Sequence, residues 1–442
     1  MNELSSGSLG EWRRTHYSSE ILPELDGKEI TLFGWVEEIR DLGGLKFIVL
    51  RDKEGVIQIT AHSEDVDEKI SERISGLNKQ TVIGVKGIVK KMSKAPQGAE
   101  IIPEKIKVLA SAKHPLPLDP TGRTPADIDV RLNSRILDLR RPTSRAIFKI
   151  QHTVLATIRK FLSERGYLEV ITPKIIASAT EGGATLFPIA YFDREAFLAQ
   201  SPQLYKEQLI SDFEKVFEIG PIFRAEESKT RRHLSEATSI DIEEAFVNVD
   251  DVMKTLEDLI CYVLKVVKNE CKSQLKILNK RLTIPKQPFD ILTYDQILQE
   301  LSQAGEETSW GEDISTPALK TLGKLHPTFY FIKDWPTASK PFYIKPRDDD
   351  VKLCEAFDLM YKWTELVSGG TRVASKDLLI KRLKEQNLDP SSFEYHIKVF
   401  DYGMPPHAGW ALGLERFMMI ITGKKNIREV TLFPRDRFRL VP

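Results

Sequence analysis

The chain has 442 residues, enough for two or three domains and at least one large core, and its 64 lysines and arginines balance its 64 aspartates and glutamates. Zero formal charge argues against a global positive field, so any nucleic-acid contact has to come from local basic patches. Three cysteines, Cys261, Cys271 and Cys354, show no metal-ligand spacing and read as free thiols of a reducing compartment. The N-terminal stretch MNELSSGSLGEWRR has no apolar leader core, and no apolar run approaches the roughly 18–20 residues that span a bilayer; the expectation is a cytoplasmic protein without a membrane partner.

Between Glu29 and Leu109 the sequence runs in short β-type stretches: EITLFGWV, LKFIVLRD, VIQIT, TVIGVKGIV and EIIPEKIKVL, separated by turns such as DLGG and KEG. Five strands in about 80 residues suggest a small closed OB-fold barrel, a scaffold that commonly reads single-stranded nucleic acid. Phe47 and Gln58 fall on neighbouring predicted strands, one ring to stack and one amide to meet a base edge; a Phe that is only core fits the pattern equally well. Residues 1–114 are thus assigned to a tail and barrel, and the proline-rich, charged stretch 115–142 to a hinge.

Residues 143–442 form the expected second domain. Ile147, Ile150, Val154, Ile158, Phe161 and Leu162 recur on one helical stripe between Arg145 and Arg165, with Gly166 as a stop. YLEVITPKI then reads as a strand into Pro173. Strands alternate afterwards with helices near 252–268 and 376–386 but without a strict βαβ rhythm, so the predicted class is α+β, an antiparallel sheet flanked by helices. No GxxxxGK[ST] phosphate loop occurs.

Four stretches of this half set polar residues among apolar ones. In FRAEESKTRRHL, Arg224 offers a planar fork for phosphate or carboxylate, and Glu226, two residues on, is expected on the same side of a strand. Buried charges of this kind need partners, and a polyanionic ligand would supply them; a chance surface ion pair is the plain alternative. In FDLMYKWTELVSGGTR, Asp358, Glu365 and Ser368 could converge on Mg²⁺, and Arg372 follows what reads as a Gly-Gly turn. GWALGLERF sets small residues ahead of Glu415 and Arg416, as if a backbone had to approach a flat ligand. QSPQLYKE contributes Gln203 and Lys206, and ATEGGATLF contributes Glu181.

In this order, the helix and strand ending in EVITPK, then FRAEE with RRHL, then GWALGLERF closely resemble the three signature motifs of the class II aminoacyl-tRNA synthetases, and among them the aspartyl branch of archaeal type, from about Trp12 to Pro442. KKMSKAPQ is similar to the lysine loop of class I enzymes, but no other sign of their nucleotide-binding fold occurs. The resemblance implies ATP-dependent activation of an amino acid, L-aspartate, and its transfer to tRNA(Asp), with tRNA(Asn) a second acceptor in relaxed members, and Mg²⁺ and a homodimer. It implies Arg224, Ala225, Glu226, Arg232, His233, Leu234, Glu365, Gly413, Leu414, Glu415 and Arg416 around ATP, with Arg224 and Arg416 catalytic. Around aspartate it implies Glu181, Gln203, Leu204, Tyr205, Lys206, Arg224, Asp241, Ser368, Arg372 and His407, with Lys206 and Arg372 facing the second carboxylate. It implies Glu365, Ser368 and Asp358 on the metal, and Phe47, Gln58, Glu104 and the turn of Lys94, Ala95 and Pro96 on the anticodon. SGGTR in place of SGGQR, and YKWTE in place of an Arg-Gly version, depart from the pattern. Asparaginyl relatives, an asparagine-making paralogue and a non-catalytic tRNA binder are the rival readings.

Overall fold

The computed structural model describes residues 7–177, 186–226 and 230–442, and the chain divides into two compact units, Met1–Thr124 and Pro125–Pro442.

The first unit is a closed barrel of β1 (Glu29–Asp41), β2 (Leu45–Arg51), β3 (Val56–His62), β4 (Val82–Lys91) and β5 (Ala99–Ala110), in the order β1-β2-β3-β5-β4. Ile30, Leu32, Ile48, Ile57, Ile59, Ile83, Val85 and Ile101 alternate inward and fill its core. Pro103, unable to donate to a ladder, sits in β5 opposite Gly87, where the β4–β5 register shifts. The helix Glu68–Ser75 between β3 and β4 carries only two buried apolar residues, Ile70 and Ile74, too weak a stripe to stand out in the sequence.

In the second unit, β6 (Leu168–Glu169), β7 (Ile175–Ile176), β8 (Pro188–Tyr191), β9 (Arg194–Leu198), β10 (Lys215–Phe223), β11 (Glu236–Ala245), β12 (Asp290–Thr293), β13 (Phe329–Pro336), β14 (Leu353–Tyr361), β15 (Thr364–Thr371) and β16 (His407–Gly413) make two sheets. The larger runs β12-β13-β14-β15-β16-β11-β10-β6; its inner six strands are antiparallel, and β12 and β6 join the edges in parallel. The helices Pro142–Ser163 and Val249–Glu270 pack their apolar stripes on one face, where Ile240, Ile242, Phe357, Leu359, Val367, Trp410 and Leu412 complete the core. All six residues of the stripe read from sequence are buried in the first of these helices, and Gly166 beyond its end has φ +83°.

Three expectations change. The strand read across YLEVITPKI shrinks to the two residues of β6, because the chain turns away before Pro173 and leaves Ile171 94% exposed. Gly369 and Gly370 form no turn; they lie inside β15, where added Cβ atoms would sit 2.6 Å from the Gly409 carbonyl oxygen and 2.4 Å from that of Glu355. Within the stretch read as a hinge, Ile128–Asn133 and Arg135–Asp138 are helical, because the buried Asp138 carboxylate gathers Arg131 and Arg135. A charge-rich segment therefore folds inward.

Candidate active site and nucleic-acid surface

Strand alternation gives the central sheet one apolar and one polar face. Across β10, β11, β16, β15 and β14 the residues Glu218, Asp241, Ala411, Ser368 and Asp358 stand opposite one another in a single row. A second row on the same face runs Glu243, Gly409, Gly370, Ala356. Its small residues leave the space that charged side chains occupy; a Cβ on Gly409 would lie 2.5 Å from a Glu243 carboxylate oxygen. Strict alternation would turn Glu365 towards the core along with Val367. A register shift between Leu359 and Met360, with Leu366 as the extra residue, instead aims Glu365 at the polar side.

The helix Gln203–Phe213 presents Gln203, Lys206 and Glu207 at helical spacing, all buried. The Lys206 ammonium is fully buried between Asp241 Oδ1 at 3.2 Å and Glu243 Oε2 at 3.4 Å, and donates to the Ile242 carbonyl at 3.1 Å. Arg372 Nε donates to Glu243 Oε1 at 2.8 Å, and its Nη2 reaches Gln203 Oε1 at 3.4 Å. Gln203 Nε2 donates in turn to Glu207 at 2.8 Å and Glu243 at 3.0 Å. Glu207 also faces His396 at 3.2 Å and His407 at 3.8 Å. Burial works against each charge here, yet Arg372, Lys206 and His407 hold Glu243 below the usual carboxylate range. The two histidines do the same for Glu207, and Glu207 raises His407 despite its burial.

Beside this cluster lies a cavity of about 170 Å³ lined by Arg224, Glu226, Arg232, His233, Leu234, Glu365, Ser368, Gly413, Glu415 and Arg416, among others. Arg224 follows the end of β10, and the Glu226 N–H donates to the Arg224 carbonyl at 2.8 Å; the two are joined by a tight turn and not by the strand spacing expected. Glu415 is buried, its two oxygens each 3.1 Å from the Thr238 N–H, and burial raises its carboxyl. Arg416 Nη1 donates to the Glu365 carbonyl at 2.9 Å. Arg232 and His233 titrate below their ordinary values, first through burial and then through repulsion from Arg416.

Some expected members stand apart. Glu181 lies outside the described residues. Leu204 packs into an apolar cluster with Tyr294 and Trp335, Tyr205 is half-buried, and Leu414 belongs to the main core. Ala225 lines a neighbouring cavity of about 540 Å³ beside Phe187 and Leu440. Asp358 is absent from the lining of the cavity that holds Glu365 and Ser368; its Oδ2 accepts from Lys340 at 2.7 Å, and burial pushes its carboxyl up. Sequence reasoning missed Glu243, Glu207, His396 and Lys340. Glu243 had a signal, since it lies two residues beyond Asp241 on the same strand.

On the barrel, Phe47 and Gln58 are diagonal neighbours on one face of β2 and β3, each half-buried. Gln58 Nε2 donates to Glu100 at 2.9 Å, and Thr60 Oγ1 donates to the same carboxylate at 2.5 Å. Glu104 is exposed on β5, and Lys94, Ala95 and Pro96 form the turn between β4 and β5, with Ala95 buried and Pro96 exposed.

This pairing of a barrel with a polar-faced antiparallel sheet has a match. Residues 127–437 match the family described as tRNA synthetases class II (D, K and N), and residues 30–109 match the OB-fold nucleic acid binding domain. The chain belongs to the class II tRNA synthetases. It is 53% identical to the aspartate–tRNA(Asp/Asn) ligase of Methanothermobacter thermautotrophicus, over 98% of this chain and 100% of that one. To the aspartate–tRNA(Asp) ligase of Pyrococcus abyssi it is 52% identical, over 97% and 100%. Among solved structures it is similar to asparaginyl-tRNA synthetase from Pyrococcus horikoshii complexed with asparaginyl-adenylate, at TM-score 0.93 and 33% identity, over 97% of this chain and 100% of that one. As a class II synthetase it is an ATP-dependent ligase, and the barrel is its nucleic-acid binding domain. Among the described residues of this synthetase no helix is long and apolar enough to cross a membrane.

Proposed function

We propose that this synthetase activates L-aspartate and charges tRNA(Asp), and that it also accepts tRNA(Asn). The observation that carries the amino-acid choice is the buried pair Lys206 and Arg372. Lys206 divides its charge between two carboxylates at 3.2 and 3.4 Å, longer than the roughly 2.7–2.9 Å of a tight charge-assisted bond. A substrate carboxylate therefore meets a cation with attraction still to offer. A neutral amide in the same place would face a buried ammonium without returning charge, which disfavours asparagine. The near-identical fold of the asparaginyl enzyme does not separate the two substrates; these side chains do.

In the reaction the α-carboxylate of aspartate forms a bond to the α-phosphorus of ATP, and the bond from that phosphorus to the bridging oxygen breaks, releasing pyrophosphate. Arg224, exposed in the lining of the nucleotide cavity, holds the reacting carboxylate and phosphate together, so that positioning and charge neutralisation supply most of the rate. Glu226 accepts from the adenine amino group, and Arg416 covers the nucleotide. Glu365 and Ser368, two of the cavity's hard oxygen donors, would hold Mg²⁺, which neutralises phosphate charge. Asp358 is the third candidate, and Lys340 already neutralises it. Gln203, Asp241 and His407 orient the groups that touch aspartate, and Glu181 would bind its ammonium.

Phe47 stacks on an anticodon base while Gln58 and Glu104 read edges. Pro96, exposed, favours no third anticodon base through an N–H donor or a side-chain charge, which supports relaxed recognition. Exposed Leu168, Ile171 and Ile175 beside the helix Pro142–Ser163 support a homodimer, and the relatives' work in translation supports a cytoplasmic location. Aspartate-dependent pyrophosphate exchange tests the reading: it is expected with aspartate and absent with asparagine, and the reverse result overturns it. Charging unfractionated tRNA with aspartate and probing an acid gel for tRNA(Asn) decides the second acceptor; no signal means strict recognition. Light scattering at micromolar concentration that gave a monomer mass would remove the dimer.

A further inference from the structure

Beyond Arg232 and Arg416, which line the nucleotide cavity, the same two arginines also line a second and larger cavity of about 730 Å³. Arg231, Lys280, Lys320, Lys362, Lys424 and Lys425 complete its charged wall, and none of the residues lining it is a carboxylate. The floor is aromatic: the Arg232 guanidinium lies 4.1 Å from the centroid of the Trp363 ring, and the Lys320 ammonium 5.7 Å from it. Lys424 has an acidic neighbour, Glu429 at 3.4 Å, and Arg416 has Glu365 at 3.7 Å. Like charges gathered this closely repel one another, and Lys280 titrates below its ordinary value through burial and the nearness of Lys362. Such a basin holds together against a standing electrostatic cost, which a multiply charged anion would relieve.

The neighbouring cavity points to the anion. At about 170 Å³ it falls short of the roughly 300–1,000 Å³ that ligand pockets occupy, and Arg232 and Arg416, which line both cavities, mark the side on which the nucleotide's polyphosphate end would leave it. We propose that the basin formed by Lys280, Lys320 and Lys362 is a holding site for inorganic pyrophosphate, which enters it between Arg232 and Arg416 when the α–β bond breaks. This rests on the reading of the adjoining cavity as the ATP site. The five lysines are spread from residue 280 to residue 425, which is why no motif announces them.

Equilibrium dialysis of the intact chain against inorganic pyrophosphate tests the site without any turnover. For Lys280→Ala/Lys320→Ala/Lys362→Ala we expect the Kd to rise about tenfold or more, equivalent to about 1.4 kcal/mol, and pyrophosphate inhibition of the forward reaction to weaken in parallel. The single-turnover rate of adenylate formation at saturating ATP should stay unchanged. Lys320 is exposed on the helix Thr316–Leu325, so Lys320→Ala alone gives a folded variant with a smaller rise, about twofold, should the triple variant melt early. An unchanged Kd in both variants overturns the proposal. So does an unchanged Kd accompanied by weaker tRNA binding, which would give the basin to the nucleic-acid backbone. If the chain binds pyrophosphate as expected but no amino acid supports exchange, the proposed activity fails and the anion site stands.

Discussion

The two halves of the proposed active site are built in opposite ways. In the amino-acid half, Lys206, Arg372, Asp241, Glu243 and Glu207 are all almost fully buried, and the carboxylates offset the cations only in part before any substrate arrives. In the nucleotide half, Arg232, His233 and Arg416 are partly open, and Glu365 is half exposed. A buried, mutually bonded cluster is rigid and selects by charge and shape, whereas an open cavity adapts to its ligand and gains from water exclusion only once the ligand is bound. Under the proposed function, specificity therefore resides on the closed side, and the shared chemistry of ATP on the open one.

The largest effect expected from breaking this contrast is at Lys206. Lys206→Ala should lower aspartate-dependent pyrophosphate exchange by about 10²–10⁴-fold, the equivalent of the 3–5 kcal/mol for removing one partner of a buried pair, while ATP binding changes little. Unchanged exchange would sink the assignment. Glu243→Gln keeps the shape but removes a charge shared by both cations; it should cost about 3 kcal/mol of stability in denaturant melts, more than any single change at Arg232 or Glu365, and equal losses would erase the distinction between the halves. Phe47→Ala on the barrel should raise the KM for tRNA about tenfold, within the 1–3 kcal/mol of base stacking, and leave exchange intact; a fall in exchange instead would mean the ring is structural.

The smallest effect is a pH dependence confined to the closed side. His407 is raised above its ordinary 6.5, so its contribution to stability is complete below that pH and is lost as pH rises through the folded value. Glu207 is lowered from its ordinary 4.5, so its contribution is present above 4.5 and is lost as pH falls through the folded value. Melting temperatures of the parent chain and His407→Gln should diverge below pH 6.5 and converge above the folded value; parallel curves would show that the histidine titrates freely.

Much of this was readable in one dimension. The helix Pro142–Ser163 announces itself because its buried face repeats at helical spacing, and the barrel strands because their cores alternate. Arg224, Glu226 and Arg416, found through motif order, and Glu365, read from the spacing of oxygen donors, meet in one cavity. Glu207, His396 and Lys340 were invisible, since a buried polar residue looks like a surface one until its partner is known, and their partners are Gln203 and His407 in one case and Asp358 in the other. Gly369 and Gly370 were misread as a turn because their use, close approach between strands, depends on what lies beside them.

From the linear chain alone came the class of fold, the motif order and the kind of ligand, because hydrophobic period and charge type are local properties. Folding decided which charges neutralise which: Lys206 with Asp241 and Glu243, Arg372 with Glu243 and Gln203, Asp358 with Lys340. Coulomb energy depends on separation through space and on burial, and both are set only when β11, β14, β15 and β16 come into register.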